Sequence, residues 1–363
     1  MKPDQSSKQH GGKLKAVRIP FMMATIACFI FLIQTISCSP GNESAQENAA
    51  DTTNLIAELF AEENVWMAPD TSSIPGGEAG NMIRYGRTLI VHTSKFFGPV
   101  GSIGKNTNGM NCQSCHLDAG TRPYGNNLGA SSITYPKYLP RTGSMVSLAQ
   151  KINECFSRSL NGAPIDTTSK EMNAYLAYIN WLGQTFHKEK KQTGSEGIKA
   201  LKLIDRAADP EKGQAVYELY CVRCHGHDGN GQFVTDVMKD VTKQQGGTAT
   251  TDDLYYYPPL WGSNSFNGVA TLYRISKMAA FIQRNMPYPA NYNTTVLNVE
   301  QAWDVAAYVN SRERPIKDYS KDYLTDISKK PYDFPFPPYA DKFSDTQHKF
   351  GPYTEMPSAH KAH

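Results

Sequence analysis

The 363-residue sequence has little net charge, few cysteines and a single long apolar run near its start. Hydrophobic residues make up 40% of it and charged residues 20%, which excludes a disordered chain and a polytopic membrane protein. The formal charge of +3 arises within residues 1–37, which contain five Lys/Arg and one acidic residue. The remaining 32 basic and 33 acidic residues nearly cancel. No nucleic-acid surface is therefore indicated.

Residues 1–37 have the layout of an export signal, because basic residues precede an apolar run from about residue 19 to residue 36. The run ends in Thr-Ile-Ser-Cys, which resembles the lipobox of bacterial lipoproteins and makes Cys38 a candidate lipid-anchor residue. An uncleaved transmembrane anchor is the alternative. The polar residues 38–55 are typical of a flexible tether. We expect an exported protein that is periplasmic or anchored to a membrane.

Four of the seven cysteines form two C-x-x-C-H motifs, Cys112-Gln-Ser-Cys115-His116 and Cys221-Val-Arg-Cys224-His225. In such a motif two thiols reach the vinyl groups of one porphyrin, and the histidine binds its iron. About 0.003 such motifs are expected by chance at this chain's Cys and His frequencies. A four-cysteine zinc site and disulfides are the alternatives. The histidine after each pair favours two covalently bound haem c groups.

Each motif lies between two predicted helices, as a small cytochrome c domain requires. Residues 77–93 and 169–182 flank the first motif, and residues 210–220 and 300–311 flank the second. The sequence therefore predicts a mainly α protein of two tandem class I cytochrome c-like domains with long loops and an irregular C-terminal arm. The predicted segments are an N-terminal domain (56–188), a linker (189–206), a C-terminal domain (207–314) and the arm (315–363), whose His348 we expect to be exposed.

The second haem needs a ligand on the other face of its iron. Met286 lies in Asn-Met-Pro ahead of the closing helix, where small cytochromes c carry their methionine ligand. Met278 is the alternative, but its position in the helical stretch 272–284 favours core packing. Methionine ligation raises the reduction potential, so this haem should accept electrons and pass them on.

The first domain has no comparable methionine, because Met145 and Met172 both lie in amphipathic helical patterns. Outside the haem motifs and the first 38 residues, the one remaining cysteine is Cys155. A buried structural thiol is its ordinary explanation. A helix over residues 144–160, however, places it on one side with other polar residues, namely Lys151, Arg158 and Ser159. Cations favour a thiolate, although they could also be simply solvated.

Three segments resemble the thiosulfate dehydrogenase family, dihaem cytochromes that also act as tetrathionate reductases. They are residues 111–120 (NCQSCHLDAG), 152–162 (INECFSRSLNG) and 258–262 with 285–287 (PPLWG and NMP). The resemblance implies that His116 and Cys155 together bind the iron of a catalytic first haem. It also implies that Arg141 and Arg158 hold the substrate, with Lys151 at a position where arginine is common.

The activity that this resemblance implies joins two thiosulfates into tetrathionate and releases two electrons, and the reverse reaction reduces tetrathionate. Electrons would pass through the His225/Met286 haem to a soluble c-type cytochrome or another acceptor. Two alternatives remain open: a dihaem electron carrier without its own substrate, in which Cys155 is structural, and a related sulfur-oxidising cytochrome subunit that acts on a carrier protein.

Overall fold

The computed structural model describes residues 64–190, 192–195, 197–239 and 250–357. These residues belong to one compact unit, Glu62–His363. The predicted export segment, Cys38, the tether and the first residues of the predicted N-terminal domain lie outside the described residues. No helix in the described ranges is both long and apolar enough to cross a membrane.

The described chain is mainly helical, as predicted. Its helices are α1 (Gly77–Val91), α2 (Thr93–Phe97), α3 (Leu117–Gly120), α4 (Ser131–Thr134), α5 (Leu148–Arg158), α6 (Lys170–Leu182), α7 (Pro210–Tyr220), α8 (Val222–His225), α9 (Val234–Met238), α10 (Ile275–Asn285), α11 (Val299–Ser311) and α12 (Asp345–Phe350). Single 3-10 turns occur at Thr71–Ser73, Cys112–Ser114, Gly183–Thr185, Lys188–Lys190, Thr271–Tyr273 and Ile327–Lys329. Two antiparallel pairs join β1 (Lys137–Leu139) to β2 (Ser144–Val146), and β3 (Gln232–Phe233) to β4 (Tyr255–Tyr257).

The two domains share one packing arrangement, in which the helix before the haem motif crosses the helix that closes the domain. In the first domain α1 packs on α6, and in the second α7 packs on α11. A Cβ on Gly86 would collide with the Ala174 carbonyl oxygen, and one on Gly213 with the Asp304 carbonyl oxygen. Glycine therefore permits the close helix contact at both crossings.

Two apolar cores result, one for each haem motif. The first contains Leu89, Phe156, Met172, Tyr175, Tyr178 and Trp181, and the second contains Tyr217, Phe281, Ala302, Trp303 and Val305. The predicted linker is not a free connection, since Ile198 and Leu201 are buried in the second core. Trp303 Nε1 also donates a hydrogen bond to the Lys202 carbonyl oxygen at 2.9 Å. The linker therefore completes the C-terminal domain.

The C-terminal arm is largely irregular but firmly attached. It buries Tyr332, Phe334, Tyr353 and Met356. A buried ion pair joins Asp333 of the arm to Arg274, with Nη2–Oδ1 at 2.6 Å. The prediction for His348 was wrong. The residue is only 2% exposed, because its Nδ1 donates to the Tyr332 carbonyl oxygen at 2.7 Å and its Nε2 lies 3.0 Å from Asp341 Oδ1.

Candidate haem centres

The second motif lines a cavity of about 430 Å³. Its walls include both thiols and the imidazole of the motif, both candidate methionine ligands and apolar side chains: Cys221, Cys224, His225, Met278, Met286, Leu260, Phe281, Ile282, Val305 and Val309. A porphyrin needs an apolar slot with two thiols and two axial donors on its walls. The residues present therefore fit a covalently bound haem.

His225 is held in the tautomer that a ligand needs. Pairing of β3 with β4 leads the chain to Pro258, whose carbonyl oxygen lies 2.9 Å from His225 Nδ1. A carbonyl can only accept, so Nδ1 carries the proton and Nε2 is left for the iron. Burial lowers the pKa of His225, which keeps the imidazole neutral.

The two methionines occupy different environments at this cavity. Met278 lies within α10 and is 4% exposed in the second core. Met286 is the residue that ends α10, and it is only partly buried. Both line the cavity, so Met286 remains the predicted ligand and Met278 its alternative.

The first motif is built in the same way by different elements. Cys112 opens a 3-10 turn and its backbone N–H donates to Thr93 Oγ1 at 2.9 Å. His116 Nδ1 lies 2.5 Å from the Asn126 carbonyl oxygen, so this imidazole also keeps Nε2 for a metal. The chain reverses directly after it, with Asp118 at φ 54° and Ala119 at φ 60°. Such left-handed residues cost on the order of 1–3 kcal/mol each and often occur at functional sites.

The haem-attachment thiols do not form the alternative metal or disulfide sites. No disulfide joins any two of the five cysteines in the described part of the chain. Within the same residues, no group of three or more His, Cys, Asp and Glu is arranged to hold a metal ion. Burial raises the pKa of Cys112 to about 11 and that of Cys115 and of Cys221 to about 12. A raised pKa disfavours the thiolate form of cysteine that zinc binds.

Cys155 lies beside the first motif. It is carried by α5, whose buried residues Ile152 and Phe156 anchor the helix in the first core. The Cys155 thiol is half-buried. Its charge contributes to the raised pKa of both Cys112 and Cys115, behind the larger effect of burial. Cys112 packs on the same core as Ile152 and Phe156, so the helix of Cys155 and the first haem-attachment cysteine meet there.

The predicted helix over residues 144–160 starts too early. Ser147 caps α5 through its side chain, which accepts from Gln150 N, and the helix begins at Leu148. Met145 lies instead in β2, opposite Tyr138, and is 59% exposed. The predicted helical position of Met145 was therefore wrong, whereas Met172 lies within α6 and is fully buried.

Arg141 and Lys151 meet at a carboxylate that the sequence analysis missed. Arg141 lies in the hairpin loop between β1 and β2. Its Nη2 is 2.6 Å from Glu154 Oε2, and Lys151 Nζ is 3.0 Å from the same oxygen. Burial raises the pKa of Glu154, but Lys151 and Arg141 outweigh it, so the net shift is downward. Within the described residues, Arg141 Nε is buried without a hydrogen-bond partner and can still donate.

Arg158 is paired with the C-terminal arm. Its Nη1 and Nη2 donate to the two carboxylate oxygens of Asp322 at 2.8 and 2.7 Å. The alternative that Lys151 and Arg158 are simply solvated was wrong, because their side chains are 27% and 19% exposed and both are ion-paired. Ser159 ends α5, and its N–H donates to the Cys155 carbonyl oxygen at 2.9 Å.

The two centres adjoin each other. The cavity at the second motif is also lined by residues of the first-motif segment, among them Asn111, Cys115 and Leu117. Asp253, two residues before β4, accepts from Asn111 Nδ2 at 3.0 Å and lies 2.8 Å from His92 Nδ1. Residues of both haem-attachment segments therefore line one cavity.

Two family models match the two helical domains. The SoxA/TsdA cytochrome c domain model covers residues 104–185, and the cytochrome c model covers residues 210–313. These matches confirm the predicted fold of two cytochrome c domains, with two covalently bound haem c groups.

The curated relatives are thiosulfate dehydrogenases. The one from Stutzerimonas stutzeri is 33% identical over 70% of this chain and 75% of its own length. The one from Allochromatium vinosum is 32% identical over 68% of this chain and 84% of its own length. A solved thiosulfate dehydrogenase (TsdBA) from Marichromatium purpuratum matches with a TM-score of 0.59 and 30% identity over 71% of this chain. The chain spans about half of that solved protein, 51%.

Proposed function

This chain belongs to the thiosulfate dehydrogenase family, and from that membership we infer that it is a dihaem c-type cytochrome that oxidises thiosulfate. We propose that the reaction takes place at the first centre, where His116 and Cys155 would hold the haem iron. His225 and Met286 would serve the second centre. The observation that carries this proposal is the position of Cys155 beside Cys112 and Cys115, next to a group of half-buried cations.

Arg141 would bind the substrate, since its Nε is the buried donor left without a partner. Glu154 holds Arg141 through Nη2 and Lys151 through Nζ, so both cations stay beside Cys155. The depressed pKa of Glu154 keeps this carboxylate charged at neutral pH. A dianion bound there replaces its lost hydration with a charge-assisted hydrogen bond.

The chemistry proceeds through sulfur exchange at Cys155. The Cys155 thiolate and the sulfane sulfur of one thiosulfate form an S–S bond, with loss of two electrons. The sulfane sulfur of a second thiosulfate then attacks that of the first, releasing tetrathionate and restoring the thiolate. When bound, the haems supply one-electron redox chemistry, one electron at each iron. The electrons leave to a soluble c-type cytochrome or another acceptor, and the same steps in reverse reduce tetrathionate.

We further propose that the protein is exported and held at a membrane through Cys38. The supporting pattern is the basic and apolar start of the chain, which ends in the lipobox-like Thr-Ile-Ser-Cys. Covalent haem attachment agrees with an exported location.

The test compares purified wild type with Cys155→Ala. We expect thiosulfate-dependent haem reduction and tetrathionate formation to fall by on the order of a thousandfold in the variant, because the exchanging sulfur is gone. The thiolate signature in the oxidised spectrum should vanish with them. Met145→Ala, which removes an exposed sulfur side chain nearby, should match wild type. An unchanged spectrum in Cys155→Ala, with wild type inert to both sulfur anions, would favour the electron-carrier function instead.

A further inference from the structure

One short segment of the C-terminal arm reaches both arginines that flank Cys155. Asp322 pairs with both terminal nitrogens of Arg158 at 2.8 and 2.7 Å. The neighbouring Tyr323 N–H donates to the Arg141 carbonyl oxygen at 2.8 Å. The Asp322 side chain is only 6% exposed. The arm is therefore part of the first centre, although it follows the second haem domain in sequence.

The two arginines differ in what they can offer an anion. Both terminal nitrogens of Arg158 are taken by Asp322, and the pair carries no net charge. Arg141 shares Glu154 with Lys151 and keeps a buried Nε without a partner among the described residues. Arg141, Lys151 and Glu154 together leave one positive charge. The fold thus presents one available guanidinium donor and one that is occupied.

We propose that Asp322 is a specificity-determining residue of the Cys155 site, which keeps Arg158 occupied and so directs a small inorganic dianion to Arg141. This inference deepens the proposed function and rests on it. A bidentate guanidinium–carboxylate pair is among the stronger charge-assisted interactions, so a freely hydrated dianion such as sulfate does not displace Asp322. Without the carboxylate, Arg158 becomes a second donor and the site gains a positive charge. The site would then bind sulfate more tightly than the wild-type site does, although sulfate cannot take part in sulfur exchange.

Sulfate is the probe of choice, because its binding does not depend on turnover. Calorimetric titration of oxidised holoprotein should show that Asp322→Asn binds sulfate about three- to fivefold more tightly than wild type, the range of a partly exposed charge pair. Asp318→Asn is the matched control, since Asp318 lies on the same arm and its carboxylate accepts local hydrogen bonds from Ser320. It should bind sulfate like wild type. Asp322→Glu, which keeps the carboxylate, should stay close to wild type.

A second variant locates the gain in affinity. In Asp322→Asn/Arg158→Ala the extra sulfate binding should disappear, because the released guanidinium is gone. Sulfate affinity that is unchanged or weaker in Asp322→Asn overturns the proposal, as does a gain that persists in the double variant. A lowered melting temperature with unchanged sulfate affinity would make Asp322 a mere anchor and also overturns it. If sulfate binding responds as expected but thiosulfate does not reduce the wild-type haems, the anion selection stands and the proposed function fails.

Discussion

The two centres use the same attachment motif in opposite surroundings. The second motif faces a mainly apolar cavity, in which the candidate ligands are thioethers. The first is surrounded by ion pairs, with Arg141, Lys151 and Arg158 held by two carboxylates. An apolar wall offers no hydrogen bond to replace the water around a hydrated anion. Partly buried cations with an unused donor can replace that water. On the proposed function, the surroundings of each motif, rather than the motif itself, decide which centre converts substrate and which transfers electrons.

The largest expected effect comes from making the first centre resemble the second. Cys155→Met should raise the reduction potential of the first haem by on the order of 0.2 V, since a thioether stabilises ferrous iron relative to a thiolate. Thiosulfate oxidation should be abolished with it. Spectroelectrochemical titration of both haems measures the change. A potential equal to that of wild type would mean that Cys155 is not an axial ligand.

The second centre can be examined with a pair of methionine variants. Met286→Ala should lower the potential of the second haem by on the order of 0.1 V, because the ligand is lost. Met278→Ala should leave that potential nearly unchanged and cost about 2–5 kcal/mol of stability, since it opens a cavity in the core. Redox titration and urea unfolding are measured on both variants. If Met278→Ala instead lowers the potential and Met286→Ala instead lowers the stability, the ligand is Met278.

The smallest expected effect comes from removing one cationic side chain at the first centre while its candidate iron ligands are kept. Arg141→Ala should raise the KM for thiosulfate about tenfold to a hundredfold, the value of a hydrogen bond to a charged group, with the oxidised spectrum preserved. Arg206→Ala is the control, because this arginine also bridges two carboxylates, Glu300 and Asp304, but in the second domain. It should affect stability and leave KM alone. An equal rise in KM in both variants would contradict the proposal that the substrate binds at the first centre and not in the second domain.

Local signals made much of the fold predictable. Asp209 followed by Pro210 marks a helix start, and α7 begins at Pro210 as predicted. Ser169 caps α6 through its side chain in the same way. The helix of Cys155 was misplaced at its start because residues 145, 149, 152 and 156 fit a helical period. Pairing of Met145 with Tyr138 overrode that period, and Ser147 with Gln150 was the capping signal that could have corrected it.

The cysteine and the cationic residues of the candidate site could be predicted from the sequence. The carboxylates that pair with those cations could be predicted only in part. Glu154 lies three residues after Lys151 on one helix, so their contact could have been found from spacing. Asp322 carries no such signal, because its contact with Arg158 arises from the tertiary path of the arm. His348 was wrongly placed at the surface for the same reason.

The Arg158–Asp322 pair joins residues 164 positions apart along the chain. The first haem motif is synthesised early, yet its surroundings are completed by a segment made after the entire second domain. Contacts between residues so far apart in sequence form slowly during folding. The surroundings of the first haem motif are therefore complete only when the arm has packed against Arg158. On the proposed function, the anion site is finished at the same point.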